Sequence, residues 1–159
     1  MTVIPKITPC LWFDFNAEEA VKHYMGIFKD AKILETSYYG DTFPEYQGKV
    51  LVIRFEIAGQ QFQALNGGPQ FPFTEAISLS VDCADQAEVD DLWERLSEGG
   101  SQGSCGWLKD KFGLSWQIVP RALVTLLQDA DPNKVSRVMN AMMAMRKIDI
   151  ARLQQAYDS

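Results

Sequence analysis

A chain of 159 residues, 47% hydrophobic and 23% charged, fits one compact domain, and its net charge of −6 argues against a nucleic-acid face, which would want clustered Lys and Arg. Three cysteines, Cys10, Cys83 and Cys105, form neither a disulfide framework nor a CxxC knuckle, and no apolar run approaches the roughly 18 residues of a membrane span. The opening "MTVIPKITPC" has neither a charged nor an apolar leader region, so a cytoplasmic chain is expected.

In chain order, "ITPCLWFDF" (7–15) is β-rich, and its alternation sends Leu11 and Phe13 to one face and Cys10 and Trp12 to the other. Asn16 follows as a helix cap, with Glu19 three residues on where a capping box puts its acid. The helix runs from Ala17 to about Phe28 on a stripe of Ala17, Ala20, Val21, Tyr24 and Phe28. "AKILETSYY" (31–39) predicts a strand and 41–49 a long loop. Residues 50–57 and 61–66 are two strands joined by the hairpin turn "AGQ", and "GGPQFPFTE" is a linker.

The cycle then begins again. Residues 76–82 are a strand with Ile77, Leu79 and Val81 on one face and Ala76, Ser78 and Ser80 on the other. Asp85 caps a second helix with Glu88 three residues on, its stripe is Val89, Leu92, Trp93 and Leu96, and Gly99-Gly100 stops it. "CGWLK" and "LSWQIV" make a hairpin around Asp110–Gly113, where Gly113 supplies the positive φ. A shift of 68 residues lays Phe13 on Val81, Asp14 on Asp82 and Val21 on Val89, so the halves are a duplicated module. Residues 121–159 read as helical: Asp131-Pro132 is a helix start, and Val135, Val138, Met139, Met142 and Met145 recur at helical spacing. That apolar face is expected on the sheet or on a partner subunit, since no His or Cys stands near enough in sequence for a metal or cofactor site.

Two tandem βαβββ modules closing on "DKFG" and "WQIV" resemble the vicinal oxygen chelate superfamily of glyoxalases, extradiol dioxygenases and bleomycin- and fosfomycin-resistance proteins. "LWFDFNAEEAVKHY", "FQALNGGPQF", "CGWLKDKFGLSWQIVPR" and "RKIDIARLQQAY" are similar to its PhnB-like branch, often labelled demethylubiquinone methyltransferase-like. The resemblance covers nearly the whole chain. It implies a single α+β domain over 1–159. Module one is 5–66, module two 76–120, their curled mixed sheets form a shared cup, and C-terminal helices occupy 121–159.

In metal-dependent members the cup holds an ion on Glu or His near the start and end of each module. The positions that resemble those are Thr8, Gln63, Ala76 and Gln117, and neutral amides and hydroxyls are poor ligands for a divalent ion. What remains is a cup of Thr8, Cys10, Trp12, Gln63, Leu65, Ser78, Ser80, Trp107 and Gln117, an apolar and aromatic lining with a few placed polar groups that suits a small flat or amphipathic ligand. Neither a catalytic residue nor a metal or cofactor is expected.

Other chemistry-bearing residues have plainer expectations. His23, the single histidine, falls off the helix stripe and is expected in solvent; Cys10 is expected to be a buried, inert side chain without a base. Asp14 and Asp82, at matching strand ends, are expected to hydrogen-bond the following turns. Glu56 is assigned, with Arg54 and Val52, to a face without cup character; Asp41 and Glu45 are the other unassigned acids. The glycines of 98–106 follow a helix and do not open one, so they fail the phosphate-binding pattern, and no strand–Gly turn–helix supports a methyl-donor site.

Three functions stay open on the sequence: a metal-independent small-molecule binder that forms a homodimer, a lyase, isomerase or dioxygenase whose metal ligands lie elsewhere, and a purely structural or partner-binding domain. The first is preferred, with an aromatic organic ligand and neither nucleic acid nor membrane as partner.

Overall fold

A computed structural model describes residues 3–159. The chain divides into two compact units with the boundary between Pro72 and Phe73. The first holds β1 (Cys10–Phe13), α1 (Ala17–Ile27), β2 (Ala31–Tyr38), β3 (Val50–Ile57) and β4 (Gln60–Asn66), in the sheet order β1-β4-β3-β2. β1 runs parallel to β4, and the other pairs are antiparallel. Strand alternation buries Leu11, Phe13, Ile53, Phe55, Ile57, Phe62 and Ala64 on one side. The α1 stripe Ala17, Ala20, Val21, Tyr24 and Ile27 is buried as well, with Ile27 completing it and not the expected Phe28. Ala58 and Gly59, with φ of 48° and 81°, make the two-residue hairpin turn whose twist matches the flanking strands.

The capping box expected at α1 is not formed. Asn16 stands at the cap position but its side chain makes no cap bond. Asn66, at the end of β4, does the work from 49 residues away: its Oδ1 accepts from Ala17 N at 3.0 Å, and its Nδ2 donates to Glu18 Oε1 at 2.7 Å and Val50 O at 3.0 Å. Buried amides need partners, and this one ties α1, the end of β4 and the start of β3 together.

The second unit repeats the plan with β5 (Ser78–Cys83), α2 (Gln86–Ser97), β6 (Ser101–Gln102), β7 (Trp107–Lys109) and β8 (Ser115–Pro120), in the order β5-β8-β7-β6. The strand expected from residue 76 starts two residues later. Thr74 Oγ1 accepts from Ala76 N at 3.3 Å, which turns the chain there and leaves Ala76 exposed in the turn. α2 is capped as expected: Asp85 Oδ1 accepts from Glu88 N at 2.9 Å, and Glu88 Oε2 accepts from Ala84 N at 3.1 Å. Its stripe of Val89, Leu92, Trp93 and Leu96 is buried, as are Leu108, Leu114, Trp116 and Ile118 of the β7–β8 hairpin.

The Asp110–Gly113 turn is organised by one carboxylate. Buried Asp110 accepts from Phe112 N (2.9 Å), Leu114 N (3.0 Å) and the indole Nε1 of Trp116 (2.9 Å), while Gly113 takes φ 88°. The remaining helices are α3 (Arg121–Leu127), α4 (Pro132–Met143) and α5 (Ile150–Asp158). Leu123, Val138, Met145, Ile148 and Leu153 form their own buried cluster, with Met142 and Val119 packed against it. The α4 face therefore closes on its neighbouring helices and on the end of β8. Gln86 on α2 stitches the α4–α5 connection to the module, donating to Ile148 O (3.0 Å) and accepting from Ile150 N (2.8 Å). No helix among the described residues is long and apolar enough to cross a membrane. The architecture is the expected α+β pair of open four-stranded mixed sheets with C-terminal helices.

Candidate functional site

Each sheet has a buried side and an open side, and register assigns residues to them, because directly paired residues share a side. In the first sheet one row across the open side is Glu35, Arg54, Gln63 and Cys10; the next is Ser37, Val52, Leu65 and Trp12. Glu56 pairs with Gln61 on the same side. This corrects the assignment of Glu56, Arg54 and Val52 to another face: all three share the open side with Gln63 and Leu65. Charged side chains, Glu35, Arg54 and Glu56, therefore stand where only uncharged ones were expected.

Trp12 is half-buried and fixed. Its indole Nε1 donates to Gly68 O at 2.9 Å, and its ring meets Phe71 edge-on at 4.8 Å. Gly67 lies flat against that ring; a Cβ there would sit 2.3 Å from Cζ2, so only glycine fits. Gln63 is half-buried, and its side-chain amide makes no hydrogen bond among the described residues. Cys10 is exposed, contrary to the buried thiol expected; desolvation of its sulfur raises the thiol pKa, so it is not an activated nucleophile. Thr8 lies in the irregular segment before β1 and is half-buried.

In the second sheet the open side carries Ser78, Ser80, Ser115, Gln117, Trp107 and Lys109. Gln117 looks at Ser78: its Nε2 donates to Ser78 Oγ at 3.0 Å. Ser80 is exposed and Trp107 half-buried beside Gln117. The Ser115 hydroxyl is buried without a partner among the described residues. Lys109 is paired to Glu75, whose carboxyl it holds below its usual pKa by hydrogen bond and charge. Asp82 does not bond the following turn as expected; it takes Arg121 Nη2 at 2.6 Å and Nε at 3.2 Å. Asp14 is exposed, and His23 is half-buried beside Tyr24, its ring centroid 5.9 Å away, where a solvated ring was expected.

The superfamily's metal does not fit these residues. Ala76 offers no donor and sits outside the sheet, Gln63 and Gln117 are neutral amides, and among the described residues no group of three or more His, Cys, Asp or Glu is placed to hold an ion. A methyl-donor nucleotide finds no cradle either, since the turns from β1 to α1 (Asp14-Phe15-Asn16) and from β5 to α2 (Ala84-Asp85) contain no glycine.

The family model described as 3-demethylubiquinone-9 3-methyltransferase matches residues 5–119. The PhnB protein of Bacillus cereus is 33% identical with a TM-score of 0.66, over 73% of this chain and 99% of that one. The chain belongs to this family. It is a PhnB-like member of the vicinal oxygen chelate superfamily, the glyoxalase and bleomycin-resistance group. A protein of Pseudomonas aeruginosa (24% identity, TM-score 0.60, 74% of this chain and 98% of that one) shares the fold. So does the fosfomycin resistance protein FosX of Listeria monocytogenes (17% identity, TM-score 0.56, 80% and 100%). No curated protein matches. The C-terminal helices α3, α4 and α5 lie beyond the span that the family model matches.

Proposed function

We propose that this PhnB-like chain is a metal-independent small-molecule binding protein that takes flat or amphipathic organic molecules on its open sheet sides. The observation that carries this is Gln63: a half-buried amide with no side-chain hydrogen bond among the described residues, one strand from Cys10 and one row from the fixed ring of Trp12. A half-covered amide with idle donors and acceptor, beside an aromatic wall, is what a polar group of an organic ligand satisfies. The Gln117–Ser78 pair, Trp107, Ser80 and Leu65 add amides, hydroxyls and apolar surface of the same kind. The protein is further proposed to act in the cytoplasm as a homodimer, with neither nucleic acid nor membrane as partner. Exposed Val124, Met139 and Met143 on the C-terminal helices support the dimer contact.

The test is metal analysis of untagged protein together with thermal unfolding in the presence of small aromatic compounds. Absence of stoichiometric zinc, nickel, manganese or iron, with a rise in Tm on adding aromatics, is the expected result. A stoichiometric metal required for stability would replace the binder by the enzyme reading. Sedimentation velocity checks the dimer.

A further inference from the structure

One cation on the open side of the first sheet has no role in that reading. The Arg54 side chain is only 15% exposed. Its sole carboxylate partner among the described residues, Glu35, sits 3.5 Å away and is itself 65% exposed. Its second partner is neutral: Arg54 Nη2 donates to Gln61 Oε1 at 3.1 Å, and Gln61 is anchored in turn by Nε2 to Val3 O at 3.1 Å. The charged groups of the other sheet are better matched, with Lys109 on Glu75 and Asp82 on Arg121. A guanidinium has five N–H donors in a rigid fork, and two contacts leave most of it idle. A largely desolvated cation with a distant, hydrated counter-charge gains from any anion that engages the fork in two parallel hydrogen bonds.

The surroundings narrow the anion. Gln63 is the register partner of Arg54 on the adjacent strand, while Leu65 and Trp12 form the next row, about 7 Å further along the strands. The indole N–H of Trp12 is already spent on Gly68, so its ring offers surface and not a donor. One sheet side thus presents a fork for two oxygens, an amide, and then an apolar and aromatic floor.

We propose that the open side of the first sheet binds small aromatic carboxylates, with the carboxylate on Arg54 and Gln63 and the ring toward Leu65 and Trp12. This rests on the binding function proposed above and adds the ligand's charge and class. Glu35 competes for the same guanidinium and tunes the affinity.

Titration calorimetry of the full chain at low salt with benzoate, benzamide and inorganic phosphate tests it. Benzoate binds at least about ten-fold more tightly than benzamide, because only the carboxylate makes charge-assisted bonds. Arg54→Gln lowers benzoate affinity to the level of benzamide, Arg54→Lys recovers only part of it, and Glu35→Gln raises it about three-fold. Unchanged Tm in these variants shows that the fold is intact. Equal binding of benzoate and benzamide overturns the charge assignment while leaving the binder function standing. Phosphate binding as tightly as benzoate overturns the aromatic class. If none of the three probes binds, this proposal falls with the reading on which it rests.

Discussion

The two sheets share a strand order and a helix, yet they treat their polar groups in opposite ways. In the second sheet the groups on the open side are mostly answered from within: Gln117 by Ser78, Lys109 by Glu75, Asp82 by Arg121. The buried Asp110 satisfies three donors of its own turn. In the first sheet the Gln63 amide has no hydrogen bond among the described residues, Arg54 is loosely paired, and Cys10 is exposed. The capping side chains differ in the same sense, since Asp85 serves its own helix locally while Asn66 reaches α1 from a distant strand. The second module spends its polar groups on holding its shape. The first keeps some available, and a duplicated unit can divide labour in this way without changing its fold.

The sharpest way to break that contrast is Asp110→Ala. It strands two backbone N–H groups and the Trp116 indole in a buried turn, so unfolding free energy should drop by about 3–4 kcal/mol in urea titrations. If the loss is under about 1 kcal/mol, the second module is not held by its polar groups. Asn66→Ala and Asp85→Ala compare the caps. Asn66 bonds a helix start, Glu18 and the first carbonyl of β3, so its loss should cost about 2 kcal/mol against about 1 kcal/mol for the local cap.

Smaller again, Gln117→Ala should cost about 1 kcal/mol through its hydrogen bond to Ser78, whereas Gln63→Ala should stay within about 0.5 kcal/mol. Equal costs would erase the difference between the two amides. The pH effect is confined to alkaline solution. Burial first, then the charges of Glu88 and Asp82, push the Cys83 thiol up to about 12. Above the ordinary thiol pKa the unfolded chain loses this proton while the folded chain keeps it, so stability should decline from there toward pH 12. Cys83→Ala should flatten that part of the pH–stability curve. Cys10, though exposed, has a raised pKa and should alkylate slowly at neutral pH.

Much of the architecture is legible in local pattern. The α2 stripe, the Asp85 and Asp131 caps, both hairpin turns and the alternation of β1 and β8 depend on neighbours within a turn or two, and they appear where their spacing puts them; the α1 stripe ends on Ile27 and not Phe28, and Met139 of the α4 stripe is exposed. What the local pattern does not carry depends on distant partners or on register. Nothing near Asn16 announces that Asn66 will bond the helix start in its place. The side taken by Arg54 and Glu56 follows from pairing with Gln63 and Gln61; the alternating burial of Ile53, Phe55 and Ile57 was the signal that fixes it. The late start of β5 lies in a single Thr74 hydroxyl. β6, only two residues long, carries no periodicity to detect.

Side-chain NMR in EDTA tests the central claim most directly, by following the Gln63 and Gln117 amide pairs and the Trp12 indole during addition of a small aromatic ligand. Saturable shifts at Gln63 and Trp12, with no metal present, are the predicted result. Silence of both groups, or shifts that arise only when zinc or manganese is added, would contradict it.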